Sequence, residues 1–243
     1  MIDTHAHLFN EYYKKEEIEN IINSFNGYII VSGTDRLSNK EVLKLNYKNV
    51  FITLGIHPDT VLKYDNNDLL FIEKNIKKIV GIGEIGLDYH YGKETKDKQI
   101  ELFKKQLDIA RKYNKTAVIH SRDAINDTIN ILKEYKDVKK VLHCYSGSIE
   151  SANELIKLGS YFGIGGVITF KNSKLVDVVS KLPLDRIVLE TDSPFLSPFR
   201  GLKNEPSNII EVAKKIGEIK NITYEKVLEI TFDNAIRLFD LDL

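Results

Sequence analysis

The sequence predicts an α/β protein, a single (β/α)₈ TIM barrel that spans residues 1–243. Eight short runs of apolar and β-branched residues alternate along the chain with amphipathic segments of helical periodicity. The runs are almost continuously apolar, which is typical of parallel strands buried on both faces. A chain of 243 residues also has a length at which such barrels occur as one domain.

The predicted strands share a length of four to six residues and end at turn-forming or polar positions. They are Ile2–His5, Tyr28–Ser32, Val50–Gly55, Ile79–Glu84, Ala117–His120, Lys140–His143, Tyr161–Ile164 and Arg186–Glu190. The helices predicted after them are Glu16–Phe25, Asn39–Asn46, Asp68–Lys77, Lys96–Tyr113, Ala124–Tyr135, Ile149–Leu158, Ser173–Leu182, Pro206–Ile219 and Tyr224–Phe239.

Local signals support several of these helices. The segment from residue 96 to 113 places Ile100, Phe103 and Leu107 on one apolar stripe. Ser38 and Thr223 are the predicted N-caps of the second and the last helix. Pro206 stands at a helix start, where its missing N–H costs nothing.

A doubly wound open sheet is the structural alternative. It rarely uses eight regular units, and it would want a phosphate-binding glycine loop after its first strand. That position is held here by His5-Ala6-His7. No long linker or low-complexity tract divides the chain, so we expect one domain.

Composition limits the kinds of site and partner that we expect for this chain. Lysine plus arginine and aspartate plus glutamate number 35 each, so the formal net charge is zero. This balance gives no overall electrostatic signature of nucleic-acid or membrane binding. A bound divalent metal can nevertheless supply positive charge locally. Cys144 is the single cysteine, so an intrachain disulfide and a thiolate zinc cluster are excluded. The sequence shows no signal-peptide pattern and no apolar run of membrane-spanning length. We therefore expect a cytoplasmic protein that does not associate with a membrane and has no obligate protein partner.

Residues that can bind metals cluster at the ends of the predicted strands. His5 and His7 lie two residues apart, so their side chains point to the same side of a strand. The remaining residues of this kind at or just beyond strand ends are His57, Glu84, His120, His143 and Asp192. Because the carboxyl ends of the strands carry the active site in such barrels, we expect these side chains to converge.

Imidazoles and carboxylates in this number suit two divalent metals that share a bridging ligand. Two such cations can activate a water and polarise the oxygen of the bond under attack, so hydrolysis is the favoured reaction class. Each of these residues taken alone would more often be a buried, hydrogen-bonded structural residue. Their common position at strand ends is what favours the metal hypothesis.

The motifs at the strand ends resemble those of the TatD family of metal-dependent deoxyribonucleases, within the amidohydrolase-like superfamily. The matching stretches are Asp3-Thr4-His5-Ala6-His7, Gly55-Ile56-His57-Pro58, Gly83-Glu84-Ile85-Gly86-Leu87-Asp88-Tyr89, His120-Ser121-Arg122, His143-Cys144-Tyr145-Ser146-Gly147, Glu190-Thr191-Asp192-Ser193-Pro194, and Arg200-Gly201 through Asn204-Glu205-Pro206. They cover essentially the whole chain in the family's order.

The resemblance implies the roles of the metal ligands. His5, His7 and Asp192 would hold one divalent ion, and His120 and His143 would hold the second. Glu84 would bridge the two ions, and Asp192 would act as the general base. The ligand types accept Zn, Mg, Mn, Ni or Co, so the identity of the metals stays open.

Three further residues are candidates for binding the substrate. The resemblance places His57 near the substrate phosphate, although this histidine could simply order its loop. Arg122 presents a planar fork that suits a phosphate, or it could be a solvated or helix-capping charge. Arg200 could contact substrate or form a structural pair with Glu205.

Other distinctive residues have simpler explanations. We expect Cys144 to be a small core residue that points away from His143. Gly163, Gly165 and Gly166 have the wrong spacing for a dinucleotide fingerprint and indicate close backbone approach at the barrel mouth. The tyrosines Tyr89, Tyr91 and Tyr145 could stack on bases or, in the preferred interpretation, close the mouth.

The resemblance therefore implies a DNase that cleaves phosphodiester bonds through a metal-activated water, as a 3′→5′ exonuclease on single strands or 3′ ends. The alternative is a dinuclear hydrolase of a small ester, amide or aminoacyl-tRNA, which would favour an apolar, closed mouth without an arginine. A non-catalytic scaffold would predict lost ligands, and all six are present.

Overall fold

Eight parallel strands form one sheet in the order of the sequence, in a computed structural model that describes residues 1–243. Between consecutive strands the chain crosses over through one to three helical segments, so every strand runs in the same direction. The strands are β1 (Ile2–Ala6), β2 (Tyr28–Ser32), β3 (Val50–Leu54), β4 (Gly81–Asp88), β5 (Thr116–Arg122), β6 (Lys140–Leu142), β7 (Tyr161–Ile164) and β8 (Ile187–Leu189).

Nine α-helices accompany the strands. They are α1 (Lys15–Ser24), α2 (Arg36–Val42), α3 (Asn66–Lys74), α4 (Lys96–Lys112), α5 (Ile125–Leu132), α6 (Ile149–Lys157), α7 (Leu175–Lys181), α8 (Ile209–Lys220) and α9 (Tyr224–Phe239). Their apolar faces and the outward side chains of the strands build a core of 52 buried residues. None of these helices combines the length and the apolar character that crossing a membrane requires.

The barrel closes between its first and last strands. Ala6 pairs in parallel with Ser193, just beyond β8. The His7 amide donates to the Ser193 carbonyl at 2.8 Å, and the Asp192 amide donates to the His5 carbonyl at 2.9 Å. The Thr4 hydroxyl adds a bond of 3.0 Å to the Leu189 carbonyl. The TIM barrel predicted from the sequence is therefore confirmed, whereas the boundaries of the single domain stay a prediction.

One end of the barrel interior is filled by apolar side chains. Nine buried residues form this cluster: Ile2, Ile30, Val118, Val141, Val188, Ala235, Leu238, Phe239 and Leu241. The last four come from the end of α9 and the residues after it, which cover the amino ends of the strands. The opposite, carboxyl end of the barrel stays open to solvent.

The strands β4 and β5 extend furthest past their predicted ends, and this changes the setting of two candidate ligands. β4 continues to Asp88, four residues past its predicted end at Glu84, and its pairing with β5 shifts register between Ile82 and Ile85. β5 likewise continues to Arg122. Glu84 and His120 therefore lie within strands, with further side chains beyond them.

The start of α2 was predicted wrongly. Asp35, not Ser38, is the N-cap, because its carboxylate accepts hydrogen bonds from the amides of Leu37 and Ser38. The Ser38 hydroxyl completes a reciprocal capping box by accepting from the Asp35 amide at 3.0 Å. Thr223 is the N-cap of α9 as predicted, and Pro206 begins a 3₁₀ turn (Pro206–Asn208) that leads into α8.

Candidate metal centre

An open cavity of about 400 Å³ lies at the carboxyl ends of the strands. This volume falls in the range of small-molecule sites. The residues that line it are His7, Tyr12, Thr34, His57, Asp59, Glu84, Asp88, Tyr91, His120, Arg122, His143, Asp192, Phe195 and Leu196. The predicted convergence of strand-end side chains is therefore present in the structure.

His5 and His7 turn one ring nitrogen each towards the same point. Their Nε2 atoms are 3.1 Å apart. The other nitrogen of each ring is occupied by β2: His7 Nδ1 lies 3.1 Å from the carbonyl oxygen of Ser32, and His5 Nδ1 lies 3.1 Å from the Ser32 hydroxyl. Because a carbonyl only accepts, Nδ1 of His7 carries a proton, and Nε2 faces the centre, where its deprotonation would leave a lone pair for a metal.

Glu84 lies between two groups of histidines and presents one oxygen to each. Its Oε2 atom is 3.4 Å from His5 Nε2 and 3.6 Å from His7 Nε2. Its Oε1 atom is 2.9 Å from His120 Nδ1 and 2.7 Å from His143 Nε2. Each oxygen of this carboxylate therefore faces one of the two groups of histidines.

In the second histidine pair, a carboxylate orients the ring of His120. His120 Nε2 donates to Asp88 Oδ2 at 3.0 Å, which leaves the lone pair of Nδ1 facing Glu84 and His143. His143 Nδ1 is buried without a hydrogen-bond partner, and Glu190 Oε1 lies 3.9 Å from it. The inward nitrogens of the pair are 3.2 Å apart.

Asp192 completes the centre from the segment after β8. Its Oδ1 atom lies 3.3 Å from His7 Nε2 and 3.8 Å from His5 Nε2. The residue adopts a left-handed backbone conformation with φ of 56°, which aspartate tolerates better than most residues. Its amide bond to the His5 carbonyl holds this conformation against β1.

The buried charges of the centre perturb one another strongly. Burial would raise the pKa of Glu84, but the neighbouring His143 and His57 and hydrogen bonds from the histidines hold it well below its ordinary value. The pKa of Asp192 is also lowered, because the hydrogen bond to His7 outweighs the effect of burial. Burial and the nearby His143 lower the pKa of His5 to about 4. Hydrogen bonds and charges from the carboxylates of the centre, in contrast, raise the pKa values of His7, His120 and His143 above the ordinary value, although burial opposes this.

These residues fit a divalent metal by the chemistry of their donors. Several lone pairs and carboxylate oxygens point inward, while the outer nitrogens of three histidines are held by protein groups. Glu84 raises the pKa of His143 to about 10, and a divalent cation would displace the proton held there. The donor sets that come within reach of a single ion include His5, His7 and Glu84, as well as Glu84, His120 and His143.

Comparisons with known proteins agree with this geometry. The family model described as TatD related DNase matches residues 2–240. The chain belongs to the TatD family. A curated relative from Bacillus subtilis, named an uncharacterized metal-dependent hydrolase (YabD), is 40% identical over 100% of both chains. Another, of the same description, from Methanocaldococcus jannaschii (MJ1582), is 34% identical and covers 98% of this chain and 96% of its own.

Solved structures support the same assignment. The crystal structure of YjjV, a TatD homologue from Escherichia coli, matches with a TM-score of 0.92 at 30% identity and covers 99% of this chain and 98% of its own. A TatD family hydrolase from Entamoeba histolytica, 24% identical, has the same fold with a TM-score of 0.86, over 98% of this chain and 97% of its own. The curated relatives that resemble this TatD-family chain are named as metal-dependent hydrolases.

The three predicted substrate-binding residues of the TatD-family chain lie in different settings. His57 is part of the centre, with Nε2 3.5 Å from Glu84 Oε1 and Nδ1 2.7 Å from Asp59 Oδ1. Arg122 lines the cavity, and its guanidinium lies over the ring of Tyr91 at 4.8 Å. Arg200 is exposed and does not line the cavity, and no ion pair joins it to Glu205. Its role in substrate binding stays a prediction without structural support.

Sequence reasoning missed four carboxylates around the ligands, of which Asp59 is exposed and the other three are buried. Asp88 orients His120, and Asp59 contacts His57. Asp3 accepts hydrogen bonds from the amides of His5 and Thr191, and burial raises its pKa to about 7. Burial likewise raises the pKa of Glu190 to about 8. All four stand within or next to the TatD-type motifs, and acidic residues in apolar strands were the available signal.

Cys144 differs from its prediction. β6 ends at Leu142, so the alternation of a strand no longer applies, and Cys144 lies in a turn with φ of 45°. It is only partly buried, and its amide donates to Glu190 Oε1. Burial of the thiol and the nearby carboxylates Asp192 and Glu190 raise its pKa well above the ordinary value. The reactive thiolate is therefore disfavoured.

The predicted close approaches at the mouth are present. A Cβ atom on Gly163 would meet the Glu190 carboxylate at 2.0 Å, and one on Gly166 would meet the Leu196 carbonyl oxygen at 2.0 Å. Tyr145 is buried and donates to the Ser148 carbonyl, so its ring serves the structure. Tyr91, in contrast, is 71% exposed at the cavity rim.

Proposed function

We propose that this protein is a deoxyribonuclease that hydrolyses phosphodiester bonds from the 3′ end of a DNA strand. The observation that carries the proposal is Arg122. Its guanidinium is exposed, lines the cavity and forms no ion pair with a protein carboxylate, while it lies over Tyr91. A planar cationic fork beside a cluster of metal-binding residues suits a phosphate.

We further propose that the centre holds two divalent ions among Zn, Mg, Mn, Ni and Co. His5, His7 and Asp192 would hold one, and His120 and His143 would hold the other, with Glu84 shared. When bound, such a pair supplies Lewis-acid polarisation of the phosphate and acidifies water. The two-sided position of Glu84 is the support for a shared ligand.

The protein groups have separate tasks in this proposal. Asp192 is the general base: its lowered pKa keeps the carboxylate ionised at neutral pH, so it can accept the proton of the attacking water. His57 and Arg122 hold the phosphate at the rim, where both line the cavity. Asp59 contacts His57 Nδ1 and thereby orients Nε2 towards the centre.

Hydrolysis of a small ester, amide or aminoacyl-tRNA is the competing activity. It would be favoured by an apolar and closed mouth without an arginine. The cavity here is open, and its lining includes charged side chains such as Asp59 and Arg122. A non-catalytic scaffold has no use for six convergent donors with oriented outer nitrogens.

The test is hydrolysis of a 5′-labelled single-stranded oligodeoxynucleotide by metal-stripped protein refilled with Mg²⁺, Mn²⁺ or Zn²⁺. We expect a metal-dependent ladder that shortens from the 3′ end. His120→Ala and Asp192→Asn should each lower the rate by at least about 100-fold, the scale of a lost electrostatic group. Arg122→Ala should raise KM, whereas Arg186→Ala, over Tyr161 at the opposite end of the barrel, should not.

Protein that binds metal and leaves DNA intact under every condition would contradict the DNase proposal. Small esters and aminoacyl-tRNA would then be assayed with the same variants. Loss of their hydrolysis in His120→Ala would assign the competing activity to this centre.

A further inference from the structure

An apolar shelf, formed by Phe195 and Leu196 of the segment after β8, borders one side of the cavity. Both residues line it, and 43% of Phe195 and 36% of Leu196 is exposed. Tyr12, from the loop after β1, packs its ring against that of Phe195 with centroids 5.1 Å apart. Exposed apolar side chains beside a polar centre need an explanation in terms of a ligand.

The backbone holds this shelf in a conformation that costs free energy. Leu196 has a left-handed φ of 52°, which is unfavourable for a residue with a bulky side chain. The lack of a Cβ on Gly166 admits the Leu196 carbonyl oxygen. The Phe195 carbonyl accepts a hydrogen bond of 2.7 Å from the buried Asn204 side chain. Backbone contacts therefore fix the position of the shelf, while the side chains of its two residues stay exposed.

The position of the shelf defines what it can contact. The Phe195 ring lies 6.0 Å from the ring of His7, one of the candidate metal ligands. Arg122, our candidate for the phosphate, lines the same cavity. A ligand that fills both places needs a flat ring system with a π-face, linked to a phosphate by a short spacer such as a sugar. A nucleotide has this composition, because every base presents a π-face to an aromatic side chain.

We propose that the shelf stacks the terminal base of the DNA strand and so places the scissile phosphate at the centre. This inference rests on the proposed function. A base that lies on Phe195 must have left its duplex partner, so the shelf selects an unpaired end. Tyr12 acts as a positioning residue that supports the Phe195 ring through its edge.

The experiment compares two single-stranded oligonucleotides of equal length, one ending in thymidine and one ending in an abasic tetrahydrofuran residue. For the thymidine end, Phe195→Ala should lower kcat/KM by about 10- to 100-fold, the scale of one lost stacking contact. For the abasic end it should change little. Phe199→Ala is the matched control, because Phe199 is 45% exposed on the same loop and does not line the cavity. Phe195→Tyr keeps the ring and should restore the preference for the thymidine end.

Equal losses on both oligonucleotides, or no loss on the thymidine end, would overturn the proposal. So would loss of aminoacyl-ester hydrolysis with both oligonucleotides unaffected. An independent readout is the fluorescence of 2-aminopurine at the 3′ end, which stacking on Phe195 should quench in the wild type and in Phe199→Ala but not in Phe195→Ala. If the wild type cleaves neither oligonucleotide, the proposed function fails, and this quenching alone decides whether the shelf binds a base.

Discussion

The two ends of the barrel interior are built from the same strands and have opposite chemistry. Val118 and His120 lie two residues apart on β5, so both side chains point inward. The candidate ligand His143, which follows the end of β6, likewise lies two residues after Val141 of the apolar cluster. One step of two residues along a strand thus leads from an apolar cluster to a metal-binding group. Stability and chemistry occupy separate layers of one scaffold.

Left-handed backbone conformations are also distributed unevenly between the open end of the barrel and the rest of the molecule. Four residues that are not glycine have left-handed φ values in the loops at the open end: Asp123, Cys144, Asp192 and Leu196. The remaining three are Asn114, Asn221 and Asp240, and they follow the ends of helices α4, α8 and α9, where this conformation is ordinary. Unfavourable conformations away from helix ends therefore concentrate where the site needs particular side-chain directions.

The largest effect that would test this separation is expected at the closed end. Phe239→Ala removes a buried ring from the apolar cluster and should lower the free energy of unfolding by about 3–5 kcal/mol. Because the cluster lies away from the centre, the metal affinity of the folded protein should stay unchanged. Denaturant unfolding and calorimetric metal titration measure the two quantities. Tyr224→Ala, an exposed position on the same helix, is the control. A parallel fall in metal affinity would show that the two layers are coupled.

At the open end we expect a smaller effect, and it should change the metal affinity. Asp88→Asn keeps an oxygen for the amides of His90 and Tyr91 but replaces the carboxylate that orients His120. Metal affinity should fall by about 10- to 100-fold, the usual effect of removing such a partner. Competition with a chromophoric chelator measures it. Asp127→Asn, which alters a contact to Tyr89 outside the cavity, should leave the affinity unchanged. Equal affinities in Asp88→Asn and the wild type would refute this role.

The last expected effect depends on pH and concerns a lysine at the start of β6. Lys140 is fully buried, donates to the Leu158 carbonyl at 2.7 Å and has its pKa lowered by burial from 10.5 to about 8. Between these values the unfolded chain binds more protons than the folded protein, so stability rises with pH in that window, by at most about 1.4 kcal/mol per pH unit. The unfolding free energy of the wild type minus that of Lys140→Met should be constant below about pH 8. It should become more positive between pH 8 and pH 10.5, because only the wild type gains stability there. A difference that does not depend on pH would contradict the lowered pKa of Lys140 in the folded protein.

The fold could be predicted almost completely, because strands buried on both faces leave a strong signal in composition. The predicted boundaries of individual helices and strands were wrong where they depend on contacts between particular groups. At α2 both Asp35 and Ser38 can cap a helix, and the order of their hydrogen bonds is settled only in three dimensions. At β4 the pairing with β5 resumes after the register shift between Ile82 and Ile85 and continues to Asp88, and the sequence pattern carries no signal of this continuation.

The side chains that meet at the centre were predictable because strand ends converge in a barrel. Their supporting carboxylates were not, since Asp88 lies beyond the predicted end of β4 and its partner His120 is 32 residues away in the sequence. The shelf was also missed. Its exposure depends on the left-handed Leu196 and on Gly166, which come together only through tertiary contact.

The seam between β1 and the segment after β8 has a consequence for synthesis of the protein. The candidate ligands His5 and Asp192 are joined there by a backbone hydrogen bond, yet the contacts across the seam link residues 185 positions or more apart. A nascent chain on the ribosome carries its first two histidines long before it carries the partner aspartate. Translation that stops early therefore yields a product without the complete set of donors, so hydrolytic competence is withheld until the barrel can close.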